Sequence, residues 1–385
     1  MIKIGIRHNL LYPLLFIFFI FLRRVVKLIL ERFIDIEGPF IFTMSQFSFE
    51  FLIGILVVIF QPRKRNRTSK YYRGIKLIFK KHQIKNRKGI LIKILLLFFF
   101  AAFFEFYGCY IRRYFFEEFN ENISENFHNR FRSLEIIIAS ILCFLTIGFK
   151  IYRHHLISLI TIGVCLVLMF FTEFILYNDI SIVFKGFFVI FISGICKVFL
   201  DLIEKYLFEV NYINLYALMA GENFIDIILS LIFIFLISKL PINEVKYIYE
   251  NSKMDFALII FLIIVYGILS ALKSIYRRYT IKNYSPMTRC MAESVLDPIF
   301  LLYDCFFAKN DYSFKGKVAY FILSIILSVI MVFLGLVFNE FLVIYKWGME
   351  FNTHLEIERR SEESSLMRIS DSTTIDIGVD DESTN

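Results

Sequence analysis

Eight side chains set in long apolar stretches could do chemistry: Glu50, Glu105, Tyr107, Lys197, Glu222, Asp226, Arg289 and Glu293. A charge at mid-bilayer costs several kcal/mol, so an ionisable group there faces an aqueous cavity or a partner. Glu222 and Asp226 are four residues apart and share one helix face. Lys197 and Asp201 repeat that spacing, and read equally well as a self-satisfied pair or as solute ligands. Arg289, Glu293 and Asp297 form a stripe at i, i+4 and i+8, where Pro298 should loosen the helix. A buried arginine makes bidentate bonds to carboxylate or phosphate, which makes Arg289 a candidate ligand for an anionic group; the alternative is a bridge to Glu293. Glu105, followed by Tyr107, either lines a cavity or hydrogen-bonds a neighbouring helix. These eight residues are candidate substrate ligands. The spacing offers no catalytic, metal or cofactor set.

The elements that must hold them are membrane helices. Of 385 residues, 58% are hydrophobic and 20% charged, with 48 Phe and 6 Pro. Soluble domains average about 45–50% apolar and about 25% charged, so this composition excludes a water-soluble enzyme and a disordered regulator. The apolar residues come in blocks of about 20, enough for a helix to cross the hydrocarbon. Ten candidate spans lie near 9–30, 38–60, 89–111, 132–150, 155–176, 182–204, 213–238, 255–276, 285–306 and 317–344. The expected fold is an all-α polytopic membrane protein. The first span is ambiguous: Arg23, Arg24 and Lys27 follow about 14 strongly apolar residues. Either the helix continues to Leu30 with its basic face inward, or it is short and an amphipathic stretch follows. No small-residue cleavage site follows it, so it does not read as a signal peptide.

Residues 61–88 hold twelve Lys/Arg and no Asp/Glu, which marks a cytoplasmic loop. Counting outward places both termini in the cytoplasm. The 111–131 loop is then lumenal, in keeping with Glu117, Glu118, Glu121, Glu125 and the sequon at Asn122, although Arg112 and Arg113 count against it. Lys150 to His155 and 277–284 (Arg277, Arg278, Lys282) should be cytoplasmic. The stretch 351–385 carries nine Asp/Glu against three Lys/Arg, lacks apolar periodicity and reads as a disordered acidic tail. The six cysteines (Cys109, Cys143, Cys165, Cys196, Cys290, Cys305) form no CxxC and read as small buried hydrophobes.

The two halves, 1–176 and 182–346, repeat each other. FIFTMSQFSFEFLIGILVVIF at 40–60 aligns with YALMAGENFIDIILSLIFIFL at 216–236, placing Gln46 on Glu222, Glu50 on Asp226 and Gly54 on Ser230. The fourth and ninth spans set Arg132 on Arg289. The third and eighth end alike, in YIRRY at 110–114 and IYRRY at 275–279. A duplicated unit of five helices must insert the second time inverted, giving a pseudo-two-fold axis in the membrane plane and a site near mid-depth. At 1.5 Å per residue Glu222 lies about 14 Å and Asp226 about 20 Å into the seventh span, and Glu50 about 18 Å into the second.

These residues resemble the drug/metabolite transporter superfamily (EamA-like), in its nucleotide-sugar-transporter-like, solute carrier 35-type branch. The resembling stretches are KVFLDLIEKYL at 197–207, Gly221-Glu222, YSPMTR at 284–289, FNEF at 338–341 and NTHLE at 352–356, and the match covers about 30–355. The resemblance implies ten helices in two inverted five-helix halves with both termini cytoplasmic, the family's helix-terminal Lys at Lys205 and its acidic position at Glu222. The usual Gly after that Glu is Asn223 here. A secondary transporter follows as the expectation, moving a small organic solute, nucleotide-sugar-like or another metabolite, by alternating access in an endomembrane (Golgi, ER or vacuolar/lysosomal). Its expected partners are that small-molecule substrate and the lipid bilayer, with no nucleic acid; a homodimer is left open.

An integral membrane enzyme and a channel are the alternatives. All six histidines fall in loops, tail or termini, and HExxH, GxSxG and a phosphate-binding P-loop are absent from the sequence, which disfavours metal hydrolysis, acyl transfer and ATP-driven pumping. A channel would want a ring of like residues, whereas these charges are of mixed sign.

Overall fold

The computed structural model describes residues 4–6, 10–34, 39–60, 87–108, 130–148, 151–177, 180–211, 213–236, 256–307, 314–344, 353, 356 and 360. Residues 61–86 of the basic stretch, Arg112 and Arg113, the Asn122 sequon and nearly all of the acidic tail lie outside them. The described chain is all-α but for one short strand pair. Its helices are α1 (Leu11–Ile34), α2 (Pro39–Phe60), α3 (Arg87–Phe106), α4 (Leu134–Ile147), α5 (Arg153–Tyr177), α6 (Ile180–Glu209), α7 (Leu215–Leu236), α8 (Phe256–Asn283), α9 (Pro286–Ser294), α10 (Asp297–Phe307) and α11 (Phe314–Phe338). Strand β1 (Ile4–Ile6) pairs antiparallel with β2 (Leu342–Ile344), Gly5 opposite Val343.

Six of these helices, α2, α5, α6, α7, α8 and α11, are long and apolar enough to cross a membrane. Their side chains are sorted inside out. Phe188, Val167 and Phe261 are more than half exposed, while Glu50, Asp201, Glu204, Glu222, Asp226 and Arg278 are wholly buried. An apolar exterior around a charged interior suits hydrocarbon as solvent rather than water. The chain is a multi-pass helical membrane protein.

Local sequence sets where the helices stop. Gly148 adopts φ +70° beyond α4 and returns its N–H to the Cys143 carbonyl, the left-handed ending that glycine accepts without a Cβ clash. Ser285 caps α9: its hydroxyl accepts the Thr288 N–H at 3.1 Å, and Pro286 opens the helix with a fixed φ and no N–H to satisfy. The expected ninth span is two helices rather than one loosened helix. Pro298 cannot donate to Ser294, and its ring collides with that carbonyl, so the chain turns at Val295–Leu296 and restarts at Asp297.

The first segment is one 24-residue helix that runs through its basic residues. Its basic face is turned inward, the first of the two readings: Arg23 donates to Gln46 Oε1 at 3.1 Å and lies over Tyr266, and Lys27 is buried over Phe42.

The helices pack in a definite set of pairs: α1 on α8, α2 on α7 and α8, α3 on α6 and α7, α4 on α6 and α9, α5 on α11, and α10 on α11. At the α2–α7 crossing a glycine lies directly against the neighbouring helix backbone. A Cβ on Gly54 would lie 3.0 Å from both the Ala220 Cβ and the Tyr216 carbonyl. An apolar core of α4, α5, α6, α9 and α11 residues, including Ile136, Ala139, Met169, Val198, Met291 and Phe338, supports one side of the charged interior. Cys143, Cys165 and Cys290 are buried in it as free thiols, as their apolar settings imply.

Candidate functional site

Seven helices present charges to this part of the interior, three of them with two or more at helical spacing. Lys197, Asp201 and Glu204 follow one face of α6, and Ser274, Arg277 and Arg278 one end of α8; Arg289 and Glu293 lie one turn apart on α9. Glu50 comes from α2 and Glu222 from α7, while Glu105 ends α3 and Glu135 lies in the first turn of α4.

Arg278 is the hub of one group. Its guanidinium donates to Glu222 Oε2 at 2.6 Å and to Glu105 Oε2 at 3.3 Å, holds Glu204 at 2.9 Å, and lies 3.6 Å from Glu50; Ser274 accepts from it as well. Arg289 is the hub of a second. It reaches Asp201, Glu135 at 2.8 Å and Glu293 at 3.1 Å. Lys197 closes that group, 2.7 Å from Glu135 and 3.7 Å from Glu293. Asp201 joins the two groups, because Arg277 donates to it at 3.3 Å and to Glu204 at 2.6 Å. Arg132 adds an edge, 3.0 Å from Asp297 and bonded to the Glu293 carbonyl. Guanidinium forks suit this task, since each offers five planar donors to several carboxylates at once.

Six of the eight sequence candidates, Glu50, Glu105, Lys197, Glu222, Arg289 and Glu293, thus meet in one network. Asp226 is wholly buried one turn beyond Glu222 on α7. Tyr107 is half-buried just past the end of α3. The self-satisfied Lys197–Asp201 pair is not what forms: each takes partners on other helices. The Arg289–Glu293 bridge does form, alongside Arg289's bonds to Asp201 and Glu135.

The expected 277–284 loop is helical for most of its length. Helix α8 continues to Asn283, and Arg278 is 0% exposed. At 28 residues α8 spans about 42 Å, longer than the hydrocarbon, so its last turns carry the arginines beyond the apolar run while α2, α6 and α7 still cover them. The signal was present in the matched Arg-Arg pairs of the two halves. Glu135 and Glu204 each lie near a span end, where an acid reads as interfacial from sequence alone. Lys205, at the resembling helix-terminal position, donates to the Lys282 and Tyr284 carbonyls at 3.1 and 2.9 Å and closes the C-terminal end of α8.

Not every acceptor in the interior is used. Glu50 Oε1, Glu222 Oε1, Asn223 Oδ1, Ser230 Oγ and Ser270 Oγ, all on α2, α7 and α8, are buried without a hydrogen-bond partner. Asn223 Nδ2 meanwhile donates to Glu50 Oε2 at 3.2 Å and to the Met219 carbonyl at 2.8 Å. A buried acceptor left unpaired costs about 1–3 kcal/mol, so a set of them is an opening for the donors of a guest or of water. Hydrogen bonding to hydroxyl or amine groups is what this arrangement can do.

The chain matches no known protein-family model and no curated protein sequence. What can be said of its class rests on fold and site: a multi-pass helical membrane protein with a charged, solvent-excluded interior.

Proposed function

We propose that this protein is a secondary transporter that carries a small organic solute, nucleotide-sugar-like or another metabolite, by alternating access between two inverted five-helix halves. The ten segments are α1 to α8, the broken α9–α10, and α11, with both termini cytoplasmic in an endomembrane. The carrying observation is how charge is shared between the halves. Glu50, Glu105 and Glu135 belong to the first, and each is held by cations of the second: Arg278, Arg277, Arg289 and Lys197. Such pairs can exchange partners as the halves rock, and a solute that binds one arrangement better shifts the balance toward it.

Two further observations support the reading. If each segment is matched with the one five places on, α1·α8 exchanges with α3·α6, α2·α8 with α3·α7, α4·α6 with α1·α9, and α4·α5 with α10·α11, while α2·α7 and α5·α11 map onto themselves. These pairs follow a pseudo-two-fold relation, while α6·α8, α5·α6, α8·α9 and α7·α8 have no such counterpart among the described residues. The β1–β2 pairing also ties the chain before α1 to the chain after α11, which calls for an even number of crossings between them.

The test is countertransport in proteoliposomes holding the full chain, screened with radiolabelled nucleotide sugars and other metabolites. A carrier shows trans-stimulated exchange. Net chemical turnover of a solute, or single-channel current without exchange, would replace this reading with the enzyme or the channel. Tags on the two ends should be found on the same side of the membrane.

A further inference from the structure

Beyond the ionic interior, the start of α5 meets the end of α11 in a separate cluster of polar side chains. The Lys150–His155 stretch was expected as a loop, but α5 begins at Arg153, so His154 and His155 lie in its first turn. Both are buried. Their Nε2 atoms are 3.1 Å apart, and His154 Nε2 is 3.3 Å from Glu340 Oε1. We propose that His154, His155 and Glu340 form a binding site for a divalent transition cation of the zinc type.

The spacing carries the first part of the argument. Zinc holds nitrogen and carboxylate oxygen at about 2.0–2.2 Å in a tetrahedron, so two of its ligand atoms stand about 3.3 Å apart. The two observed separations, 3.1 and 3.3 Å, are close to that edge, and one donor atom from each of the three residues falls within 4.8 Å of the others. Two imidazoles and one carboxylate are a borderline donor set, suited to zinc and its neighbours rather than to calcium or magnesium. The fourth position is left for water or another ligand.

The backbone carries the second part. Helix α11 ends with the Phe341 N–H on the Leu336 carbonyl at 2.9 Å and the Glu340 N–H on the Val337 carbonyl at 3.1 Å. Those two bonds put Glu340 at the left-handed position of a glycine-type helix ending, at φ +58°; it is the one non-glycine residue with positive φ among those described. Glycine is the residue that position favours, because it has no Cβ to clash. A glutamate held there aims its carboxylate at two histidines, and strain of this kind gathers where a side chain has a task. Asn339, the residue before it, is pinned by Thr288 at 3.0 Å and by the Gly335 carbonyl, which fixes the direction of approach.

The proton balance is simple. His155 Nδ1 accepts the Tyr152 N–H at 3.1 Å, so the neutral ring carries its proton on Nε2, within reach of His154 Nε2 and with the Phe338 carbonyl as a further acceptor. His154 therefore holds its own proton on Nδ1, which has no hydrogen-bond partner. A cation at the paired Nε2 atoms displaces the shared proton. That proton moves to His155 Nδ1, so the ring shifts until Nδ1–H and the Tyr152 N–H no longer face each other, and the freed Tyr152 N–H, half-buried at the helix start, bonds water. No other group changes its protonation.

The site stands whether or not the chain carries a solute, and its test needs no transport. The purified full chain in detergent is stripped with chelator, dialysed against Zn2+ and assayed for bound metal. Co2+ is then substituted to read the visible absorption of a tetrahedral N/O site. The expected result is one Zn2+ per chain with a raised melting temperature. Glu340→Gly should weaken binding at least tenfold while leaving the metal-free melting temperature no lower, since glycine suits that backbone; His154→Gln should weaken binding to a similar degree. No retained Zn2+ in the unaltered chain, or equal retention in Glu340→Gly, would overturn the site.

Discussion

Arg278 on α8 donates to Glu222 on α7 at 2.6 Å, and neither side chain touches solvent. The same guanidinium also lies within 4 Å of Glu50, Glu105 and Glu204. One cation therefore offsets much of the charge on four carboxylates that come from four different helices. Breaking a buried pair by removing one partner costs about 3–5 kcal/mol, because the other charge stays behind unpaired. Arg278→Leu should lower the detergent-solubilised melting point sharply, or leave little folded protein on gel filtration. Arg278→Leu combined with Glu222→Leu should recover part of that loss. A double mutant no more stable than Arg278→Leu alone would show that Glu222 is not coupled to it.

If the chain carries a solute as proposed, Glu222→Gln separates holding the fold from handling that solute. The amide keeps the side-chain volume and can still accept one bond from Arg278, while the charge that pairs with the guanidinium is gone. Exchange in proteoliposomes should fall by at least about tenfold, with the chain still folded and inserted, as expected for an interaction that changes between states. Asp226→Asn, one turn along the same helix, should do the same. Exchange at the unaltered rate in both would remove the two carboxylates from the solute site.

The α2–α7 crossing makes a prediction of opposite sign at two glycines. Alanine is the better helix former by about 1 kcal/mol, so Gly→Ala stabilises a helix where there is room. Gly163 on α5 has nothing within 4 Å of a built Cβ, and Gly163→Ala should raise stability by up to that amount. Gly54 is different: its Cβ would press on the Tyr216 carbonyl and the Ala220 amide nitrogen, backbone atoms that cannot rotate away. Gly54→Ala should destabilise by about 1–3 kcal/mol, read as opposite shifts in thermal midpoint for the two variants.

The apolar runs were enough to place the helices, because block length and hydropathy are properties of one segment at a time. The intramembrane carboxylates were legible for the same reason: Glu50, Glu222 and Asp226 interrupt such runs. Partners were not. Arg277 and Arg278 looked like a loop because an apolar count stops at the last apolar residue, whereas α8 keeps turning for as long as neighbours cover its polar end. Asp201 sits four residues from Lys197 yet pairs with Arg277 and Arg289, a choice made by how α6, α8 and α9 cross. The meeting of His154 with Glu340 depends on α5 packing along α11, which neither local sequence records. Spacing along a helix names a face, and only packing decides what that face meets.

Pro298 offers the last separation, between the shape of a helix and its stability. With its ring it ends α9 at Ser294 and lets α10 restart at Asp297, whose carboxylate then lies 3.0 Å from Arg132 of the other half. Pro298→Ala restores an N–H able to bond the Ser294 carbonyl and removes the collision with it, so α9 and α10 can join into one straight helix. Stability should hold or rise, since a proline inside a helix is unfavourable by about 3 kcal/mol. The joined helix would turn Asp297 relative to Arg289 and Glu293, which now share a turn with the network, and the Arg132 contact would be lost. If the break is a hinge between the halves, exchange should slow by about tenfold or more even though the protein melts no lower. A variant that exchanges at the original rate would assign the break to packing alone.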